Sequence, residues 1–162
     1  MGGVYNVHER SLAAEPAEVG ALIDGLASGN DRLWPGAPWP PMRLDRPLGV
    51  GARGGHGPVR YSVAAYVPSV WVRFAFEGPR GFDGFHEFAV LSGADGRTRL
   101  RHTLAKGARG SARLTWPLFW RWLHDACVEE SLDRAERALT GTVARPARRS
   151  PYVRVLLRLG RR

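Results

Sequence analysis

The chain has one cysteine, one lysine and no apolar run long enough to cross a bilayer, and each scarcity excludes something. Cys127 has no second cysteine to pair with, so no intramolecular disulfide staples the fold. Its place among apolar helical positions suits a reduced, buried thiol in a cytoplasmic protein. A membrane-spanning helix needs about 20 consecutive apolar residues, and no segment supplies them. Met1–Arg10 carries neither a basic leader nor an apolar stretch, so no secretion signal is expected. The G-x-S-x-G elbow, the Walker loop and a quartet of metal ligands are missing too. No cofactor and no metal site are therefore expected.

What is there suits one globular domain. A chain of 162 residues with 44% hydrophobic content buries roughly 70% of its unfolded surface. The net charge of +9 is unevenly spread: residues 1–141 hold 17 Lys/Arg and all 15 Asp/Glu, whereas residues 142–162 hold seven arginines and no acid. The sequence thus divides into a domain at 1–141 and a basic, Arg-rich tail at 142–162. Because the domain lacks a basic face and a recognition motif, no nucleic-acid partner is expected. Lys106 stands alone against 23 arginines, a skew that fits coding composition better than selection for phosphate contacts.

Val4–Leu12 reads as a first strand and Glu15–Ser28 as a helix, with Pro16 in its first turn, Gly29 at its stop, and Val19, Leu22, Ile23 and Leu26 as its apolar stripe. Asn30–Pro41 holds too much proline for a long helix, although Asn30 or Asp31 could cap a single turn before Trp34. It reads as a rigid, tryptophan-bearing lid. Gly49–Pro58 contains G-x-G-x-x-G at Gly49, Gly51 and Gly54, but an alternating strand follows it where a dinucleotide site needs a helix. A glycine-rich hairpin or bulged edge is the better reading.

Two hairpins follow. In the first, Val59, Tyr61, Val63, Ala65 and Val67 share a face with Val70, Val72, Phe74 and Phe76, and a Pro68-Ser69 turn sets Val63 opposite Phe74 and Tyr61 opposite Phe76. In the second, Phe85–Leu91 and Arg97–Leu104 meet at a turn around Ala94-Asp95-Gly96. Thr98, Leu100, His102 and Leu104 then share an inner face with His86, Phe88 and Val90, while Arg97, Arg99 and Arg101 face outward. A long helix spans Ser111–Thr140, with Pro117 costly if it lies deep. Trp120, His124, Val128, Ser131, Leu132, Ala135, Ala138 and Leu139 fall in one arc, and Asp125, Glu129, Asp133, Glu136 and Arg137 on the other side. Leu118, Phe119 and Trp122 project away from the arc, so either the lid covers them or they offer a surface to a second copy, a homodimer.

This order of elements, with SLAAEPAEVGALIDGLAS, GFHEFAVLSGADGRTRLRHTL and LFWRWLHDACVEESLDRAERAL, resembles the SRPBCC or START-like superfamily, over about residues 4–140. The superfamily includes polyketide cyclase/dehydrase-like proteins and the birch-pollen allergen group. The resemblance implies an α+β helix-grip fold: a curved seven-stranded antiparallel sheet wrapped around a long C-terminal helix, two short helices after the first strand, and a deep apolar cavity. It also implies binding of lipids, sterols, polyketides or plant hormones, and in some members cyclisation or dehydration. Fold alone does not choose among these.

The expected function is binding of a small hydrophobic or amphipathic molecule, lipid-like or polyketide-like, in that cavity. Tyr61, Phe74, Phe76, His86, Phe88, Leu100, His102, Trp120, His124 and Trp34 are its candidate contacts. The alternative is a polyketide cyclase or dehydratase in which His86, His102 or His124, neutral because buried, serves as general base. Asp83 and Glu87 do not form a catalytic pair, because Glu87 falls on the face opposite His86. The tail RPARRSPYVRVLLRLGRR mixes arginines with apolar residues, so residues 145–162 either pack on the domain, solubilise it, or touch an anionic membrane.

Overall fold

Alternating apolar and polar residues carry directly into the sheet of the computed structural model, which describes residues 2–93 and 96–160. Seven antiparallel strands, β1 (Gly2–Leu12), β2 (Arg43–Leu44), β3 (Arg53–His56), β4 (Val59–Val67), β5 (Trp71–Gly78), β6 (Phe82–Ser92) and β7 (Thr98–Ala108), form one sheet in the order β1-β7-β6-β5-β4-β3-β2. Val63 pairs with Phe74 and Tyr61 with Phe76; His86 pairs with Leu104 and Phe88 with His102. Of the turn expected at Ala94-Asp95-Gly96, Ala94 and Asp95 lie outside the described residues.

The alternation breaks in one place. A bulge between Val63 and Ala65 shifts the register of β4, so Tyr66 packs against the core. Val67 and Val70, expected inside, are 46% and 48% exposed. An extra residue in one strand reverses which face its successors occupy. The Tyr66 hydroxyl then donates to Asp24 at 2.8 Å, and Asp24 also accepts from the Ser69 N–H and hydroxyl.

Asp24 closes α1 (Pro16–Asp24), which starts at a reciprocal Glu15–Glu18 capping box and buries Val19, Leu22 and Ile23. Of the two short helices implied after β1, α1 forms, and turns take the second position. There Asp31 caps the chain, accepting from the Leu33 and Trp34 N–H groups at 2.9 and 2.8 Å. The glycine-rich segment becomes the β3–β4 hairpin, with Gly57 at φ +50° in its turn.

The long helix is interrupted. Residues Ala112–Thr115 form α2, Trp116–Trp120 a π-helical turn, and Arg121–Thr140 form α3. Pro117, which lacks an N–H and crowds the preceding turn, sits inside that wide turn. From α3, Cys127, Val128, Ser131, Leu132 and Ala135 are buried against the sheet. Its acidic side meets β1 rather than solvent: Arg10 pairs with Asp133 at 2.9 Å and with Glu136, and Asn6 donates to Asp125 at 3.0 Å.

The basic end of the chain also folds onto the domain. Pro151–Leu159 forms α4, capped by the Ser150 hydroxyl, which accepts from the Val153 N–H at 3.2 Å. Val153 and Leu156 are buried, while Tyr152, Val155 and Leu159 stay exposed. Arg149 anchors the approach by pairing with Glu130, whose carboxylate also accepts from Trp39 Nε1. Among the described residues no helix is long and apolar enough to cross a membrane.

Candidate functional site

Between the concave face of the sheet and the helices lies a cavity of about 410 Å³, within the range of small-molecule sites. The inner faces of β5, β6 and β7 supply Phe76, Phe82, His86, Phe88, His102 and Leu104. The π-helical turn and α3 supply Trp116, Phe119, Trp120, Leu123, His124, Cys127 and Val128. Trp34 and Pro38–Pro40 close one side as a proline-stiffened flap, with Leu156 and Leu157 of α4 beside them. Trp34 is held by its indole N–H, which donates to the Pro40 carbonyl at 2.9 Å.

Of the residues expected at a site, the structure brings Trp34, Phe76, His86, Phe88, His102, Trp120 and His124 to the cavity wall. Tyr61, Phe74 and Leu100 are wholly buried and belong to the core. Phe74 stacks on His86 at 4.9 Å and 17°, and Tyr61 meets the same ring edge-on at 5.0 Å. Phe119, expected to point away with Leu118 and Trp122, lines the cavity instead. The wide turn changes the angular spacing on which that expectation rests. Leu118 and Trp122 stay exposed, Trp122 against Tyr152 at 5.8 Å.

All five histidines of the chain join one array. His8 and His124 lie 5.9 Å apart, His124 and His102 5.2 Å, and His102 and His86 5.5 Å between ring centres. His86 touches Tyr61, whose hydroxyl is 3.1 Å from His56 Nδ1. Burial holds His86, His102 and His124 below the ordinary imidazole range and takes His56 down to about 3, because an apolar setting penalises the cation. His8 is the exception. Burial would lower it too, but the hydrogen bonds and charges of Asp125 and Glu129 raise it to about 9.

His86 Nε2, His102 Nδ1 and His124 Nε2 are buried and have no partner among the described residues. His124 Nδ1 lies 3.2 Å from Asp125 Oδ1. A proton on Nδ1, shared with that carboxylate, makes Nε2 a bare acceptor. The Cys127 thiol, raised by burial, stays protonated and adds an unreactive wall.

Sequence reasoning missed several of these groups. His8 and Asp125 meet behind His124, outside the lining residues of the cavity. His56 is placed at the cavity wall by the glycine hairpin. Lys106 continues the inner-face spacing of Thr98, Leu100, His102 and Leu104 by one more step, a signal that was available because β7 runs on to Ala108.

No protein-family model matches the sequence, and no curated protein matches it. Solved structures match in shape. CalU16 from Micromonospora echinospora superposes with a TM-score of 0.58 at 13% identity, covering 96% of this chain and 83% of that one. The protein Ara h 8.0201 gives 0.59 at 14%, covering 87% and 100%. DynU16, described as a putative protein in the dynemicin biosynthetic locus, gives 0.54 at 19%, covering 87% of this chain and 49% of its own length. At these identities the likeness is one of fold.

Proposed function

This chain has the helix-grip fold of the SRPBCC, START-like proteins, and from that premise we propose that it binds a small, largely apolar molecule carrying a few oxygen atoms, lipid-like or polyketide-like, in the cavity between sheet and α3. One observation carries the reading: three imidazole nitrogens, without partners among the described residues, belong to histidines of an otherwise largely aromatic and aliphatic wall. A buried polar atom left unpaired is costly, and a ligand hydroxyl or carbonyl in the cavity would satisfy it. The apolar body of the ligand is held by area, and the imidazoles set its orientation.

The test is occlusion. Leu104, 2% exposed and on the cavity wall, becomes Trp in a variant whose fold is checked by circular dichroism. Native mass spectrometry of both proteins, purified from the original cells, should show a co-purified small molecule on the wild type and none on Leu104→Trp. A folded Leu104→Trp that carries the same molecule would overturn the reading.

A cyclase or dehydratase activity has its own supporting observation, the Asp125–His124 contact, which engages Nδ1 and leaves Nε2 of this cavity-lining residue without a partner among the described residues. A neutral imidazole so held is a general base for a proton next to a carbonyl. An alkyl 1,3-diketone bound in heavy water should exchange that proton faster with the wild type than with His124→Ala. Equal rates would sink the catalytic reading and leave the binding one intact.

A further inference from the structure

The one lysine of the chain stands behind the cavity wall, outside the residues that line it. Lys106 is 5% exposed on the inner face of β7, two residues beyond Leu104, and its Nζ has no hydrogen-bond partner. Among the described residues no carboxylate pairs with it. The ammonium rests instead on two rings, 3.4 Å from the centre of Phe82 and 4.2 Å from that of Trp116, and both rings line the cavity. Opposite Lys106 on β6 stands Gly84, where a Cβ would lie 2.9 Å from Lys106 Cβ and 2.2 Å from the Ala105 carbonyl. The β6 and β7 backbones therefore approach so closely here that only glycine fits opposite Lys106.

Cation–π contacts offset part of the cost of burial but accept no hydrogen bond in the plane of the three N–H groups. A buried charge without a counter-ion is among the most expensive features a fold can carry, and a purely structural role at this position would be better filled by Met or Leu. Desolvation lowers the amine to about 8, so near neutral pH it is still mostly charged.

We propose that Lys106 is a head-group anchor behind the cavity wall, and that the ligand is an amphipathic carboxylic acid whose carboxylate reaches Nζ by parting the rings of Phe82 and Trp116 while its apolar body extends past Leu104 and Trp120. The inference rests on the cavity-binding reading above and adds the ligand's charge and direction. A single ammonium in an aromatic frame suits a monoanion; a phosphate ester, with its larger charge, would call for the arginine forks that this pocket lacks among its lining residues.

The experiment compares sodium dodecanoate with 1-dodecanol, equal in chain length and different in charge, by isothermal titration calorimetry against the wild type and Lys106→Met. The wild type should bind dodecanoate at least 10-fold more tightly than dodecanol. Lys106→Met, as unbranched as lysine and without charge, should lose that preference while keeping its affinity for dodecanol. Equal binding of acid and alcohol by the wild type, or an unchanged preference in Lys106→Met, would overturn the anchor and leave the apolar cavity standing. Binding of neither compound by the wild type would overturn both. A second measurement does not depend on the variant: reductive ¹³C-methylation labels one lysine side chain, and its dimethylamine resonance should move on addition of dodecanoate and stay in place on addition of dodecanol.

Discussion

His8 shows how one side chain can tie stability to pH. Its Nδ1 lies 2.6 Å from Glu129 and its Nε2 3.3 Å from Asp125, with the ring 14% exposed. The folded protein holds its proton up to about pH 9, above the ordinary value near 6.5 of the unfolded chain. The stabilisation is therefore complete below about pH 6.5 and is lost as pH rises through about 9, an effect on the order of 2–3 kcal/mol. Urea unfolding of the wild type between pH 6 and pH 10 should show this decline, and His8→Ala should flatten it; parallel curves would refute the assignment. The histidines of β6, β7 and α3 were legible from strand alternation and helical spacing, since both periods place a side chain by counting. His8 and His56 were not, because their meaning depends on what lies across from them, an acidic helix flank and a tyrosine hydroxyl; the same count places Lys106, but not the two aromatic rings it meets.

At the level of elements, contact distances decide what a sequence pattern leaves open. Gly20 reads as an ordinary weak spot in α1, yet a Cβ there would lie 2.0 Å from the Ser69 carbonyl oxygen in the β4–β5 turn. Alanine gains about 1 kcal/mol of helix propensity over glycine, but the turn it meets is backbone, held by Asp24, and cannot step aside. We expect Gly20→Ala to lower stability by about 1–3 kcal/mol in spite of propensity; a variant melting at or above the wild-type temperature would contradict the packing. The same dependence on context explains two departures. The bulge at Val63/Ala65 is invisible to a period of two, and the π-helical turn around Pro117 is invisible to a period of 3.6, although proline itself marked the place. Most strands, α1 and the extent of the long helix needed no context, because each carries a continuous apolar stripe. The terminal segment did need it: its apolar residues fit a membrane surface, a free tail or a docking face equally, and the buried Val153 and Leu156 belong to the last.

For the whole molecule, ligand and fold are linked through the cavity that both share. A compound that binds the folded chain alone, at 100 times its dissociation constant, adds about 2.7 kcal/mol to stability. Dodecanoate at such a concentration should raise the melting temperature of the wild type by several degrees, and raise that of Leu104→Trp not at all. An equal rise in both would place the binding elsewhere on the surface. The order of the strands has a further consequence, in time rather than in energy. β1 precedes the other strands, yet it pairs with β7, His8 lying opposite His102, and its ionic partners on α3 are 117 to 126 residues away. During translation β1 must wait, unpaired, until β7 has left the ribosome. Closure of the sheet is then a late, long-range event, so refolding should be slow for a domain of this size, and the waiting edge is where a chaperone would find this protein.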